Sequence, residues 1–97
     1  MPAYLIANIT VQDAAGFEAY RAAVPAVIAR FGGRYLVRGG AIDVKEGTPG
    51  LNRLVILEFP DIATARAFYD SRDYAPLLAM RLASTTGSVV LAEGMPA

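Results

Sequence analysis

The chain has 97 residues, 55% of them hydrophobic, and its nine acids balance nine bases without any run of like charge. That balance leaves no basic footprint for nucleic acid and no polybasic patch for a membrane surface, and no apolar stretch reaches the ~18 residues that a membrane span requires. Cysteine, histidine and tryptophan are absent, which removes disulfides, thiolate nucleophiles, the imidazole base or metal ligand, and histidine-held haem.

Ala3 to Val11 alternates strictly, with Leu5, Ala7, Ile9 and Val11 on one face and Tyr4, Ile6, Asn8 and Thr10 on the other, which predicts a strand. Asp13 is placed to cap a helix in which Phe17, Tyr20, Val24, Val27, Ile28 and Phe31 recur at helical spacing. Pro25 predicts a kink or a restart in that helix, and Gly32-Gly33 predicts its end. A strand bracketed by glycine pairs follows, and strict alternation would put Arg34, Leu36 and Arg38 on one face and Tyr35 and Val37 on the other.

Ala41 to Gly50 ends in Glu46-Gly47-Thr48-Pro49-Gly50, a loop by its turn chemistry, with Ile42 and Val44 extending the strand after a break. Leu51 to Phe59 reads as the next strand, and Asp61 caps a second helix carrying Ile62, Ala65, Phe68 and Tyr69. Ser71 or Asp73 opens a further short helix through Tyr74, Leu77, Leu78, Arg81 and Leu82. Ser84-Thr85-Thr86-Gly87 reads as a turn into a last strand from Ser88 to Glu93, with Gly94 to Ala97 as a tail.

The order β-α-β-β-α-β is the split pattern of a ferredoxin-like α+β fold, expected here as one domain over residues 1–97. Helices cover one face of such a four-stranded antiparallel sheet and leave the other bare. The bare face, with Ile6, Leu54 and Ile56 beside Asn8, Arg38 and Glu58, is too apolar for free water and too polar for a dry core. A second copy is expected to cover it, giving a homodimeric α+β barrel. Met1-Pro2-Ala3 leads into a strand without a basic leader or cleavage site, so a cytoplasmic location is expected, with no metal and no cofactor.

The leading candidate site pairs Arg38 with Glu58 on that bare face. A carboxylate held out of bulk water must be paired or protonated. Glu58 then serves as a proton-transfer group and Arg38 as an anion clamp, or the two form a structural ion pair that fixes register. Arg34, at the strand's start, and Arg53, beside the glycine-proline loop, either line a pocket mouth or bridge loops in solvent. Tyr69, Ser71 and Tyr74 cluster where the second helix breaks, where phenols either donate to a ligand or close the end of a core. Arg81 follows on the same helical face as Tyr74, and Asn8 either orients a ligand or is satisfied locally. Neither glycine pair has phosphate-loop spacing.

The ordered series Gly33-Arg34-Tyr35-Leu36-Val37-Arg38-Gly39-Gly40, Glu46-Gly47, Arg53, Ile56-Leu57-Glu58-Phe59-Pro60, Ala65, Phe68-Tyr69-Asp70-Ser71, Tyr74, Arg81 and Glu93-Gly94 resembles domain of unknown function family 1330 over nearly the whole chain. Phe68 stands where that family usually has tryptophan, and Arg72 replaces its common proline. The resemblance implies a ferredoxin-like dimeric α+β barrel and no established reaction; its wider superfamily includes cofactor-independent monooxygenases and isomerases. The functional expectation is a homodimer binding a small, partly apolar organic acid. If it is an enzyme, the expected chemistry is proton transfer, with Glu58 as base, Arg38 as clamp and Tyr69 or Tyr74 as donors. Cofactor-free oxygenation and a non-catalytic structural dimer are the alternatives.

Overall fold

Period-two alternation over Ala3–Val11 does form a strand, β1, in the computed structural model, which describes residues 1–96. Its inward side chains, from Ala3 to Ile9, are each 5% exposed or less. Helix α1, Ala14–Arg30, starts where the Asp13 carboxylate accepts from the Gly16 amide at 3.3 Å. It ends at Gly32, whose φ of 71° is open to glycine at little cost. There the amides of Gly32 and Gly33 donate to the carbonyls of Ala29 and Ile28, closing the last turn in a Schellman arrangement. Pro25 lies inside this helix without ending it.

Strand β2, Arg34–Arg38, and strand β3, Arg53–Phe59, are joined by a loop in which Ile42 and Val44 belong to no strand and are exposed. That corrects the expected strand extension: the far end of the loop is tied by side chains to β1 and not drawn into the sheet. The Asn8 side chain donates to the Gly50 carbonyl at 3.1 Å and accepts from the Asn52 amide at 2.9 Å, while Asn52 donates to the Thr10 hydroxyl at 2.6 Å. This tether also delays the start of β3 from Leu51 to Arg53.

Helix α2, Ile62–Tyr69, is capped by Asp61, which accepts from the Thr64 amide at 2.7 Å. Those hydrogen bonds from Thr64 hold the Asp61 carboxyl below the usual range. The Ser71 hydroxyl donates to the Phe68 carbonyl at 2.8 Å and accepts from the Tyr74 amide at 3.1 Å, turning the chain into α3, Ala75–Ser84.

Strand β4, Thr85–Glu93, begins directly after α3, with no intervening turn. The expected turn at Ser84–Gly87 is unnecessary because hydroxyls close the helix. Ser84 donates to the Met80 carbonyl at 2.8 Å and Thr85 to the Arg81 carbonyl at 2.7 Å.

The strands form an antiparallel sheet in the order β2-β3-β1-β4, so the chain has the ferredoxin-like α+β fold with its helices on one face. Between the layers Phe68 packs against Phe59 and Tyr74, with ring centroids 5.2 and 4.6 Å apart. Burying each such ring contributes about 1.5–3 kcal/mol. Among the described residues no helix is long and apolar enough to cross a membrane.

Candidate functional site: an arginine-lined cavity between sheet and helices

Side-chain alternation along β2 is broken by one residue. Tyr35 faces Leu57 and Val37 faces Ile56, leaving Leu36 as the extra residue of a bulge. The slip reverses the parity of everything after it. Arg38 therefore lies opposite Val55 and shares the helix-covered face with Tyr35. Its guanidinium carbon sits 4.5 Å above the Tyr35 ring, within cation–π range.

The expected meeting of Arg38 and Glu58 does not occur. Before the bulge, Arg34 lies opposite Glu58 on the bare face, and its Nε donates to the Glu58 carboxylate at 2.8 Å. The ion pair of the bare face is Arg34–Glu58, and Arg38 belongs to the other side of the sheet. Leu36, also assigned to the bare face by alternation, lies at the bulge itself.

On the helix-covered side, Arg21, Arg38, Arg53 and Arg81 line one cavity, together with Tyr20, Tyr35 and Tyr74 and an apolar interior that includes Leu5, Phe17 and Leu57. Its volume is about 40 Å³ and it is partly open to solvent. No aspartate or glutamate lines it. Among the described residues, the ion pairs engage Arg21, Arg30, Arg34 and Lys45 but not Arg38, Arg53 or Arg81. Three permanent cations thus face an apolar space without a counter-ion.

Each cation is held by a different device. Arg38 is fixed through α1: proline has no amide hydrogen, so Pro25 leaves the carbonyl of Arg21, four residues earlier, without its helical donor. Arg38 Nη2 supplies that donor at 3.1 Å. Arg53, opposite Ile9 at the start of β3, stacks its guanidinium carbon 5.2 Å from the Phe17 ring centroid. Gly39 (φ 69°) passes so close to this guanidinium that a β-carbon there would collide with it. Among the described residues the buried Arg53 Nε has no hydrogen-bond partner.

Arg81 is 7% exposed and is held by phenols. Its Nε donates to the Tyr74 hydroxyl at 3.3 Å and its Nη2 to the Tyr69 hydroxyl at 3.2 Å, while the Tyr74 and Tyr20 hydroxyls lie 2.9 Å apart. Burial, the largest single influence, favours the neutral guanidine, but hydrogen bonding to Tyr74 and the electrostatic pull of Tyr74, Tyr20 and Tyr69 together outweigh it, and Arg81 is held above its ordinary pKa. Burial, and then the neighbouring Tyr74, push the Tyr20 phenol up. Burial also raises Tyr35, opposed by the Arg38 cation. The Tyr20 and Tyr35 phenols therefore keep their protons at neutral pH.

Of the residues picked from sequence, Arg38, Arg53, Tyr74 and Arg81 meet at the cavity, and Tyr69 supports Arg81 from outside its lining. Glu58, Arg34 and Asn8 lie on the bare face, where Asn8 serves the loop tether, and Ser71 is consumed by the α2–α3 turn. Sequence reasoning missed Tyr20, Tyr35 and Arg21. Tyr20 was legible only as a core-facing helical residue, and Tyr35 and Arg38 share a face solely because of the bulge.

A protein family described as Domain of unknown function (DUF1330) matches residues 2–95. No curated protein matches the sequence. Solved structures with the same fold include a protein of unknown function from Rhodopseudomonas palustris, 15% identical, with a TM-score of 0.75 over 99% of this chain and 84% of that one. A dimeric ferredoxin-like protein of unknown function from Jannaschia sp. CCS1 is 13% identical, with a TM-score of 0.68 over 99% and 100% of the two chains. SnoaB, a cofactor-independent oxygenase from Streptomyces nogalater, is 18% identical, with a TM-score of 0.64 over 99% and 95%.

Proposed function

The chain belongs to the DUF1330 family, a grouping defined without an activity, and from its own geometry we propose that it binds a small, partly apolar organic anion between sheet and helices. The observation that carries this is that, among the described residues, Arg38, Arg53 and Arg81 have no carboxylate partner around an apolar cavity. Arg81 is buried and Arg53 half-buried, and cations so placed call for a counter-charge; Arg38, at the exposed mouth, adds a third guanidinium whose forked donors suit a carboxylate. A water needs at least ~10–15 Å³ of such space, so about 40 Å³ accommodates a short acid whose remainder reaches the open mouth.

The same cations would stabilise an enolate or other developing anion as well as a carboxylate. Isomerisation and the cofactor-independent oxygenation named for SnoaB could both draw on such an anion. Proton abstraction by Glu58 is not part of the cavity reading, because that carboxylate pairs with Arg34 across the sheet.

The reading includes a homodimer in which the bare faces of two copies meet. Ile6, Leu54 and Ile56 lie on that face without a helix over them, and Val90 beside them is 53% exposed. A sheet neighbour of the same fold is described as dimeric. Sedimentation of a stable monomer at micromolar concentration would remove this part of the reading.

Binding is tested by calorimetric titration with short aliphatic and aromatic carboxylates, using the wild-type chain and Arg38→Ala and Arg53→Ala. Saturable binding that weakens about tenfold or more in either variant is the expected result. Binding that both variants leave unchanged would place the anion elsewhere.

A further inference from the structure

Resting on the anion-binding reading, a count of hydrogens narrows the ligand class. Tyr20 and Tyr74 both line the cavity, and each hydroxyl carries one proton. The contact between them, at 2.9 Å, uses one of the two. Among the described residues, the only other hydrogen bond to either hydroxyl comes from Arg81 Nε, which donates to Tyr74 and accepts nothing. One phenol proton is therefore left without a protein acceptor.

Which proton is left follows from polarisation. An oxygen that accepts from a cation gives up its own proton more readily. Tyr74, accepting from Arg81, is the donor of the pair, and Tyr20 accepts from it. The Tyr20 proton is then the one left free, on a side chain that lines the cavity. Because burial holds that phenol protonated well above neutral pH, it is a donor under all ordinary conditions.

The cavity thus presents guanidinium donors and the free Tyr20 phenol, with the Tyr35 phenol also in its lining, and among the described residues that lining holds no side-chain carboxylate. We propose that its ligand is an oxo acid: a small carboxylate for the arginines carrying a second, acceptor-only oxygen, a ketone carbonyl, that receives the Tyr20 proton. A simple fatty acid would leave that donor unpaired, and a ligand hydroxyl would bring a further proton to a site whose charged groups are all donors.

The test is calorimetric titration of the full chain with matched pairs: butanoate against 2-oxobutanoate and 3-oxobutanoate, and pentanoate against 4-oxopentanoate. At least one oxo acid is expected to bind about tenfold or more tighter than its parent, since a site built around a buried donor penalises a ligand lacking the acceptor. In Tyr20→Phe that preference is expected to shrink to within about twofold, the oxo acid losing its acceptor contact and the parent acid no longer leaving a donor unpaired. Tyr20→Phe removes one hydroxyl whose sole protein partner is Tyr74, and its melting curve establishes that it folds.

Acids that bind without any oxo preference, or a preference that survives in Tyr20→Phe, would overturn the oxo-acid assignment while leaving the anion site standing. No binding by any member of the series would overturn both.

Discussion

The Arg38 guanidinium donates to the backbone carbonyl of Arg21 at 3.1 Å, and that carbonyl is the one Pro25 leaves without a donor in α1. A helix defect and a strand bulge thus converge on one side chain. The bulge at Leu36 turns Arg38 toward the helices, and the proline-freed carbonyl gives it a fixed partner there.

Pro25→Ala is accordingly expected to separate stability from binding. Alanine restores the amide hydrogen to Arg21 and relieves up to about 3 kcal/mol of helix penalty, so the melting temperature should rise or hold. Carboxylate affinity should fall severalfold, because Arg38 loses its anchor. Differential scanning calorimetry and titration on the same sample check the two directions, and a variant that binds as tightly as wild type would contradict the anchoring role.

Arg53→Met should cost binding without costing the fold. Replacing a partly buried, unpaired charge by an apolar chain of similar length is often neutral or stabilising, set against about 0.5–1 kcal/mol of lost stacking on Phe17. Unfolding free energy in urea should stay within about 1 kcal/mol of wild type, while carboxylate affinity should drop about tenfold or more.

Glu58→Gln should leave the cavity untouched. Its Arg34 partner is 69% exposed, so the ion pair is solvent-screened and should contribute less than about 1 kcal/mol. Urea midpoints are expected to move little and carboxylate affinity not at all. A large loss of affinity would return Glu58 to the site.

Stability should fall at alkaline pH with a sign set by Tyr20. Its pKa is raised in the folded state from an ordinary value of 10.0. The folded chain therefore keeps a proton that the unfolded chain releases, and the stabilisation is fully present below pH ~10 and lost progressively above it. Urea midpoints measured from pH 8 to 11.5 should decline beyond pH ~10, with a shallower decline in Tyr20→Phe. An identical decline in both proteins would mean that another group governs it.

Much of the fold was legible because its signals are local. Alternation in Ala3–Val11 and Arg53–Phe59 survives intact in the sheet, and Asp13, Asp61 and Gly32 each act on the turn beside them. The site was less legible because it depends on one inserted residue. Nothing in Arg34-Tyr35-Leu36-Val37-Arg38 distinguishes a bulged strand from a regular one, yet the bulge decides whether Arg38 meets Glu58 or Arg21. Ser84 and Thr85 misled for a related reason. Their hydroxyls suit a turn, but here they close the last turn of a helix that runs straight into a strand.

On this reading the helix-covered cavity, and not the bare sheet face, receives the anion. Amide chemical-shift titration of the isotopically labelled chain with 4-oxopentanoate and with benzoate tests it most directly. Saturable shifts concentrated at Tyr35, Gly39, Val55 and the Arg21–Pro25 turn are predicted. Shifts confined to Asn8, Arg34 and Glu58 on the opposite face, or no saturable shifts with either acid, would contradict it.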